Sequence, residues 1–329
     1  MSGIIRTDGI YALRYIGSKR RMVDVLGAMI PPSCTTYVEP FCGSAALALN
    51  CGRRFGRIVL NDLNPHIANF WRVASSPVLG SQLLDKLKQS RYSRTLFEKA
   101  KERREAYGAK RQDLVDWAVD TYILNWQSFN ALGDCWRDGD HEVYMRYITS
   151  PVGLPLALKA LWDNKVEVHN KDTLDWLANS GFLEDERTFI FLDPPYLEGL
   201  RSDGKLYQTD MPDVCDHIDL LALIKNAKAK ILLSGYWSGH DDGTDLYDAY
   251  LLPHGWHRHS IGSYAKSCQS GSDEKAVGVE RAWANYPIEG PMLATLMGEN
   301  VVLNAEEKSP CLMKWLALYS TTPEGGGLV

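Results

Sequence analysis

The chain has no Cys-x-x-Cys pair among its seven cysteines, Cys34, Cys42, Cys51, Cys135, Cys215, Cys268 and Cys311. An odd count at wide spacing suits neither a disulfide framework nor a zinc ribbon, and fits the reduced thiols of a cytoplasmic protein. No apolar run approaches the roughly 18 residues of a membrane span. Residues 1–14 hold no continuous apolar stretch of the kind a secretory signal needs. The expectation is therefore a cytoplasmic protein with no membrane partner. No internal repeat is present, no Gly-x-Gly-x-x-Gly fingerprint follows a strand, and no Walker lysine follows a glycine loop. His254, Trp256, His257 and His259 crowd one segment, but it reads as a turn and then a strand, and no metal site is expected. An excess of positive charge is also missing, since the net charge is −5.

The charge is nevertheless segregated. Residues 1–21 carry Arg6, Arg14, Lys19, Arg20 and Arg21 against Asp8, and residues 85–111 carry ten basic side chains against four acidic ones. Together these stretches sum to about +10 and leave about −15 for the rest. Such a distribution makes either a basic face on an acidic body or ordinary solvated helix surfaces.

Hydrophobic residues make up 45% of 329, enough for a large core. Short apolar segments read as strands of one parallel sheet: Thr36–Glu39, Arg57–Leu60, Val166–Val168, Phe189–Leu192 and Lys230–Leu233. Helical patterns such as Ser44–Asn50 and His217–Ala227 lie between them. This alternation predicts an α/β fold with a doubly wound sheet. His257–Ile261 and Arg281–Asn285 suit an added antiparallel edge hairpin. More than 100 residues separate the second strand from the third, and within them residues 75–162 are rich in helix formers, basic residues and then Trp and Tyr. They read as an inserted, mainly helical lobe, with Trp117 and Trp126 as core and Trp136 in a glycine- and aspartate-bounded loop.

Asp193-Pro194-Pro195-Tyr196 follows the strand Thr188–Leu192 directly. Two prolines stop the strand, because neither donates to a ladder. They leave a carboxylate and an aromatic ring at a strand's carboxyl end, where open α/β sheets bind ligands. Asp193 and the freed carbonyl of Pro194 can accept from an exocyclic amine, and Tyr196 can stack on a planar base. The plain alternative is a proline turn with Asp as its first residue and Tyr as packing.

Other strand ends carry related signals. Glu39-Pro40-Phe41-Cys42-Gly43-Ser44-Ala45 joins the first strand to a helix, and Gly43 allows a ligand to approach the backbone closely. Asn61-Asp62-Leu63-Asn64 ends the second strand about 20 residues later. An acidic residue there takes the ribose hydroxyls of a nucleoside ligand, or caps a helix beginning at Pro65. Asp172 follows the third strand and suits an adenine amine, the cap of a helix at Thr173, or both.

Taken together, these residues resemble the DNA adenine-N6 methyltransferases of the DNA adenine methylase family, found in bacteria and phages. Tyr15-Ile16-Gly17-Ser18-Lys19 looks like the family's N-terminal cofactor motif, and Phe41-Cys42-Gly43-Ser44 like its main S-adenosylmethionine loop. Asp193 to Tyr196 matches its catalytic motif, and Glu280 to Pro287, with Asn285-Tyr286-Pro287, is similar to its late motif near the target base. The order and spacing agree over roughly residues 12–290. The resemblance implies a Rossmann-like methyltransferase domain from residues 1–74 and 163–310, a helical DNA target-recognition domain at 75–162, and a C-terminal segment at 311–329 with a flexible tail. It implies that Tyr15, Lys19, Glu39, Pro40, Phe41, Gly43, Ser44, Asp62, Asp172 and Asp193 hold S-adenosylmethionine. Asp193, Pro194, Pro195 and Tyr196 would then hold an adenine flipped from duplex DNA. Asp at the first catalytic position points to adenine, where related N4-cytosine enzymes usually carry Ser. The family's insertion usually contains Asn-Gly-Leu-x-Arg; here Phe129-Asn130-Ala131-Leu132-Gly133 stands closest, without the arginine. The segment after Tyr196 also departs from the family's polar pattern. An RNA adenine methyltransferase and a silent DNA-binding subunit on the same fold are the competing readings.

Overall fold

A computed structural model describes residues 9–15, 17–195, 214–236, 245–265 and 277–288. Seven strands form one sheet: β1 (Thr36–Glu39), β2 (Arg57–Asn61), β3 (Lys165–His169), β4 (Thr188–Leu192), β5 (Lys230–Tyr236), β6 (His257–Ala265) and β7 (Val277–Ala284). Their order is β3-β2-β1-β4-β5-β7-β6. The first five run parallel, β7 is antiparallel to β5, and β6 is antiparallel to β7. Strands buried on both faces must be apolar throughout, which is why β4 reads as an unbroken run; Phe189, Ile190 and Leu192 are fully buried and Phe191 nearly so.

Along the chain the helices are α1 (Val23–Met29), α2 (Ala46–Cys51), α3 (Pro65–Ala74), α4 (Pro77–Lys88), α5 (Arg94–Tyr107) and α6 (Leu114–Gln127). They continue as α7 (His141–Thr149), α8 (Leu154–Trp162), α9 (Thr173–Ser180), α10 (Val214–Ile224) and α11 (Leu246–Leu251). None of the helices among the described residues is long and apolar enough to cross a membrane. The period-2 alternation of the strands divides the core between two layers. Tyr37, Ile58, Leu60, Phe189 and Phe191 face one layer with side chains from α1 to α4 and α6 to α8. Val38, Val59, Ile190, Leu192, Ile231 and Leu233 face the other with α9, α10 and α11. The result is a doubly wound sheet with an antiparallel edge hairpin.

The direction of winding reverses between β1 and β4, which are neighbours in the sheet but lie far apart in the chain. Crossovers leaving the two strands travel to opposite sides, so a crevice opens at their carboxyl ends. Among the helix starts, Asn64 caps α3 by accepting from the His66 amide at 2.9 Å, and Pro65 occupies the first turn, where no amide donor is needed. Asp62 therefore does not cap this helix, contrary to one of its two expected roles.

The stretch between β2 and β3 is helical, as predicted, and Trp117 and Trp126 are buried. Several of its basic residues are committed to ion pairs. Arg103 and Arg111 both clamp Asp120, at 2.7 and 2.5 Å, and Arg104 reaches Asp134 at 2.8 Å. Asp120 is 3% exposed, so α5 and the turn before α6 are fastened to α6 through one buried carboxylate. Asp120→Asn is expected to destabilise the protein by about 3 kcal/mol, because Arg103 loses its counter-charge and the buried Arg111 keeps only Asp113. Chemical denaturation would check this, and a change below about 0.5 kcal/mol, the scale of a surface substitution, would refute it.

Candidate active site

Three strand ends meet at the crevice, and each presents a carboxylate. Asp193 follows β4 and keeps 20% of its side chain exposed. Glu39 is the last residue of β1 and Asp62 follows β2; both are buried. Lys19, from the turn before α1, pairs with Asp193. Its ammonium lies 2.9 and 3.0 Å from the two Asp193 oxygens and 3.0 Å from the Gly17 carbonyl, and its side chain is 3% exposed. The pair takes the place of a solvent shell around the buried ammonium.

Glu39 accepts a hydrogen bond from the Tyr37 hydroxyl at 2.9 Å. Burial pushes its carboxyl up to about 8; the Tyr37 bond opposes this, and the like charge of Asp193 adds to it. Asp62 is bound on both oxygens by backbone amides, Gly43 at 2.8 Å and Asn64 at 2.9 Å. Burial raises it to about 6 despite those donors. Asp62 is thus fixed against the glycine turn rather than spent on a helix end. Asp172 caps α9, with its Oδ1 accepting from Leu174 and Asp175 at 3.1 Å each. The cap expected of Asp172 is present.

The N-terminal motif and the glycine turn are brought together. The Ser18 and Ser44 hydroxyls are 2.8 Å apart. Gly43 has φ of +42°, and a Cβ there would sit 2.9 Å from the Tyr15 ring, so glycine is required on both counts. Trp71 donates to the Gly43 carbonyl at 2.8 Å from below. Asn61 ties the Pro40 carbonyl to Lys171, donating to each at 3.1 and 3.0 Å. Neither Trp71 nor Asn61 was identifiable as a support, because each acts through the register of neighbouring segments. The hydroxyl of Ser234 on β5 donates to Asp193 Oδ1 at 2.7 Å. Pro194 is buried and Pro195 half-buried; Tyr196 lies outside the described residues.

Two non-glycine residues among those described have positive φ, Ala45 at +48° and Ala131 at +62°. Both are at the site. Ala45 follows Gly43-Ser44, and Ala131 lines a cleft of about 360 Å³ with Arg14, Tyr15, Ser18, Arg20 and Glu280 among others. Ala131 stands where the resembling motif has its glycine, so the turn is retained while the residue that relaxes it is not. Left-handed backbone at a residue with a Cβ costs about 1–2 kcal/mol.

The late motif is split by the structure. Glu280 pairs with Tyr236 at the carboxyl end of β5 and lines the cleft. Asn285 instead bonds Ile231 at 2.8 Å and the Ala229 carbonyl at 2.7 Å, at the start of β5. A strand advances about 3.3 Å per residue, so β7 carries Asn285, Tyr286 and Pro287 to the opposite edge of the sheet. Their expected place near a target base is corrected to a structural one. Among the described residues no cluster of His, Cys, Asp or Glu is arranged to hold a metal.

The profile of the D12 class N6 adenine-specific DNA methyltransferases matches residues 15–261. The chain belongs to this family, and its activity is methylation of DNA adenine at N6, which requires a methyl donor. The chain is 25% identical over 257 residues to the type II methyltransferase M.CviBI of Paramecium bursaria Chlorella virus NC1A, covering 73% of this chain and 86% of that protein. It is 23% identical over 209 residues to the modification methylase StsI of Streptococcus sanguinis, covering 59% of this chain and 30% of that one. A 68-residue stretch is 32% identical to the DNA adenine methylase of Haemophilus influenzae, 21% of this chain and 23% of that protein.

The raised Glu39 carboxyl gives a stability prediction. Glu39 titrates near 8 when folded against an ordinary 4.5. The folded state binds this proton more tightly, so the stability it contributes is complete below 4.5 and is lost as pH rises through about 8. Glu39→Gln carries no charge at any pH. Its melting temperature is expected to gain on the wild type by several degrees between about pH 5 and about pH 9. A constant difference across that range would mean that Glu39 is ionised in the fold.

Proposed function

We propose that the chain transfers the methyl group of S-adenosylmethionine to N6 of an adenine extruded from duplex DNA, with residues 75–162 as the target-recognition region. The observation that carries this reading is the Asp193 carboxylate, paired with Lys19 and set at the winding reversal beside the Gly43–Asp62 turn. The donor set suits the cofactor. The carboxylates of Asp62 and Asp193 outnumber the ammonium of Lys19, which favours a cationic sulfonium with a ribose diol. Tyr15, Lys19, Glu39, Pro40, Phe41, Gly43, Ser44, Asp62, Asp172 and Asp193 would hold it.

When bound, S-adenosylmethionine supplies an electrophilic methyl group. The chain's own residues do the rest. Adenine N6 is a poor nucleophile because its lone pair is delocalised into the ring. Hydrogen bonds from the amine to Asp193 and to the Pro194 carbonyl draw electron density back to nitrogen and fix its direction. They also stabilise the positive charge that grows on N6 before its proton leaves. Extruding a base costs a few kcal/mol; stacking on Tyr196 would return about 1–3 kcal/mol of that.

Labelled methyl transfer to unmethylated duplex DNA, followed by nucleoside analysis, tests the reading, with structured RNA assayed in parallel. N6-methyladenine in DNA is expected, and transfer to RNA alone would overturn the DNA assignment. Asp193→Ala is expected to lower transfer about a thousandfold. Tyr196→Phe should retain partial activity and Tyr196→Ala very little. Near wild-type transfer by Asp193→Ala would remove Asp193 from the mechanism.

A further inference from the structure

Asp193 is held from a second side. Leu233 of β5 lies beside Leu192 of β4 in the parallel ladder, so the next residue on each strand, Ser234 and Asp193, also come side by side. Ser234 is fully buried. Its hydroxyl is 2.7 Å from Asp193 Oδ1 and 3.5 Å from the Leu192 carbonyl. A serine hydroxyl has one proton to donate, and at these distances the carboxylate receives it. Across the other ladder Ser234 faces Ala282, which offers no side-chain acceptor.

This contact adds to Lys19 in constraining the Asp193 side-chain torsion. The terminal torsion of an aspartate is broad, so an unsupported carboxylate swings through a wide range of planes. Lys19 bridges both oxygens and does not by itself distinguish them. Ser234 does, because it engages Oδ1 alone. The hydroxyl comes from the central part of the sheet, where buried hydrogen-bonded groups move least.

We infer that Ser234 is a positioning residue for methyl transfer: it fixes the plane of the Asp193 carboxylate so that Oδ2 is presented to the adenine amine. The inference rests on the proposed role of Asp193 and adds a residue that does not itself touch the reacting atoms. Alignment of this kind matters most in the transition state, where a misplacement of about 1 Å costs on the order of a hundredfold. The loss should therefore fall on the transfer rate and not on ligand affinity.

Single-turnover methyl transfer by Ser234→Ala and Ser234→Thr, together with cofactor affinity and melting temperature, tests it. Ser234→Ala is expected to slow transfer about 10- to 100-fold with cofactor affinity and melting temperature near those of the wild type. Ser234→Thr, which keeps the hydroxyl and suits a strand, is expected to recover most of the rate. Transfer by Ser234→Ala within about twofold of wild type would overturn the inference. So would a loss that tracks weakened cofactor binding or lowered melting temperature, since that marks a structural role. Failure of the Asp193 reading is separately visible, because Asp193→Ala would then remain active in the same assay.

Discussion

A lysine ammonium withdrawn from water is tolerable only beside a carboxylate, and that requirement organises this site. Lys19 is 3% exposed and its partner Asp193 lies 174 residues away in the chain. Desolvating the ammonium costs several kcal/mol, which the pair offsets only if the geometry is held. The N-terminal segment is accordingly fixed across the carboxyl ends of the strands, with Tyr15 against Gly43 and Ser18 against Ser44. The other two acids sit close to Asp193 but do not share this contact. They respond in the way buried carboxyls do, by holding protons to higher pH, Glu39 to about 8 and Asp62 to about 6.

Much of this was legible in the sequence, for identifiable reasons. Parallel strands covered on both faces must be apolar throughout, so their positions show as short runs ended by Gly, Pro or Asp. The carboxyl ends of such runs are where chemistry is placed, so Asp193, Gly43 and Asp62 could be named without coordinates. Register was not legible. Ser234 ends an apolar run like any serine, and only the pairing of β5 with β4 makes it a partner of Asp193. The same blindness applies to Asn285, whose place depends on the direction of β7. The pairing within residues 85–111 was hidden for another reason: charge counts do not reveal that Asp120, on a later helix, pairs with two of its arginines.

Strain and support are distributed unevenly around the crevice. Ala45 and Ala131 hold left-handed backbone that glycine would adopt without penalty, and both border the N-terminal motif or the glycine turn. Such conformations persist only where surrounding contacts over-determine them. Ala45 is fully buried and follows a turn fixed by the Asp62–Gly43 and Trp71–Gly43 bonds. Ala131 is flanked by the bond from the Gly133 amide to Ser128 at 2.9 Å and by the Asn125 bond to Arg14 at 2.6 Å. The helical stretch and the N-terminal motif are therefore joined where the cleft is lined, which couples the region proposed to read DNA to the turn proposed to hold the cofactor.

The surplus of acid over base at the strand ends bears on turnover as well as binding. On the proposed reading, the methyl donor is a cation at sulfur and its product is neutral there. Attraction to Asp193, Asp62 and any ionised fraction of Glu39 is present before transfer and absent after it. In a partly buried site the effective dielectric is well below that of water, so such an interaction is worth on the order of 1 kcal/mol or more. Lys19 limits the effect by compensating Asp193, which prevents the site from holding the donor too tightly. The balance of one ammonium against several carboxylates would thus favour the charged reactant while leaving the spent cofactor free to dissociate.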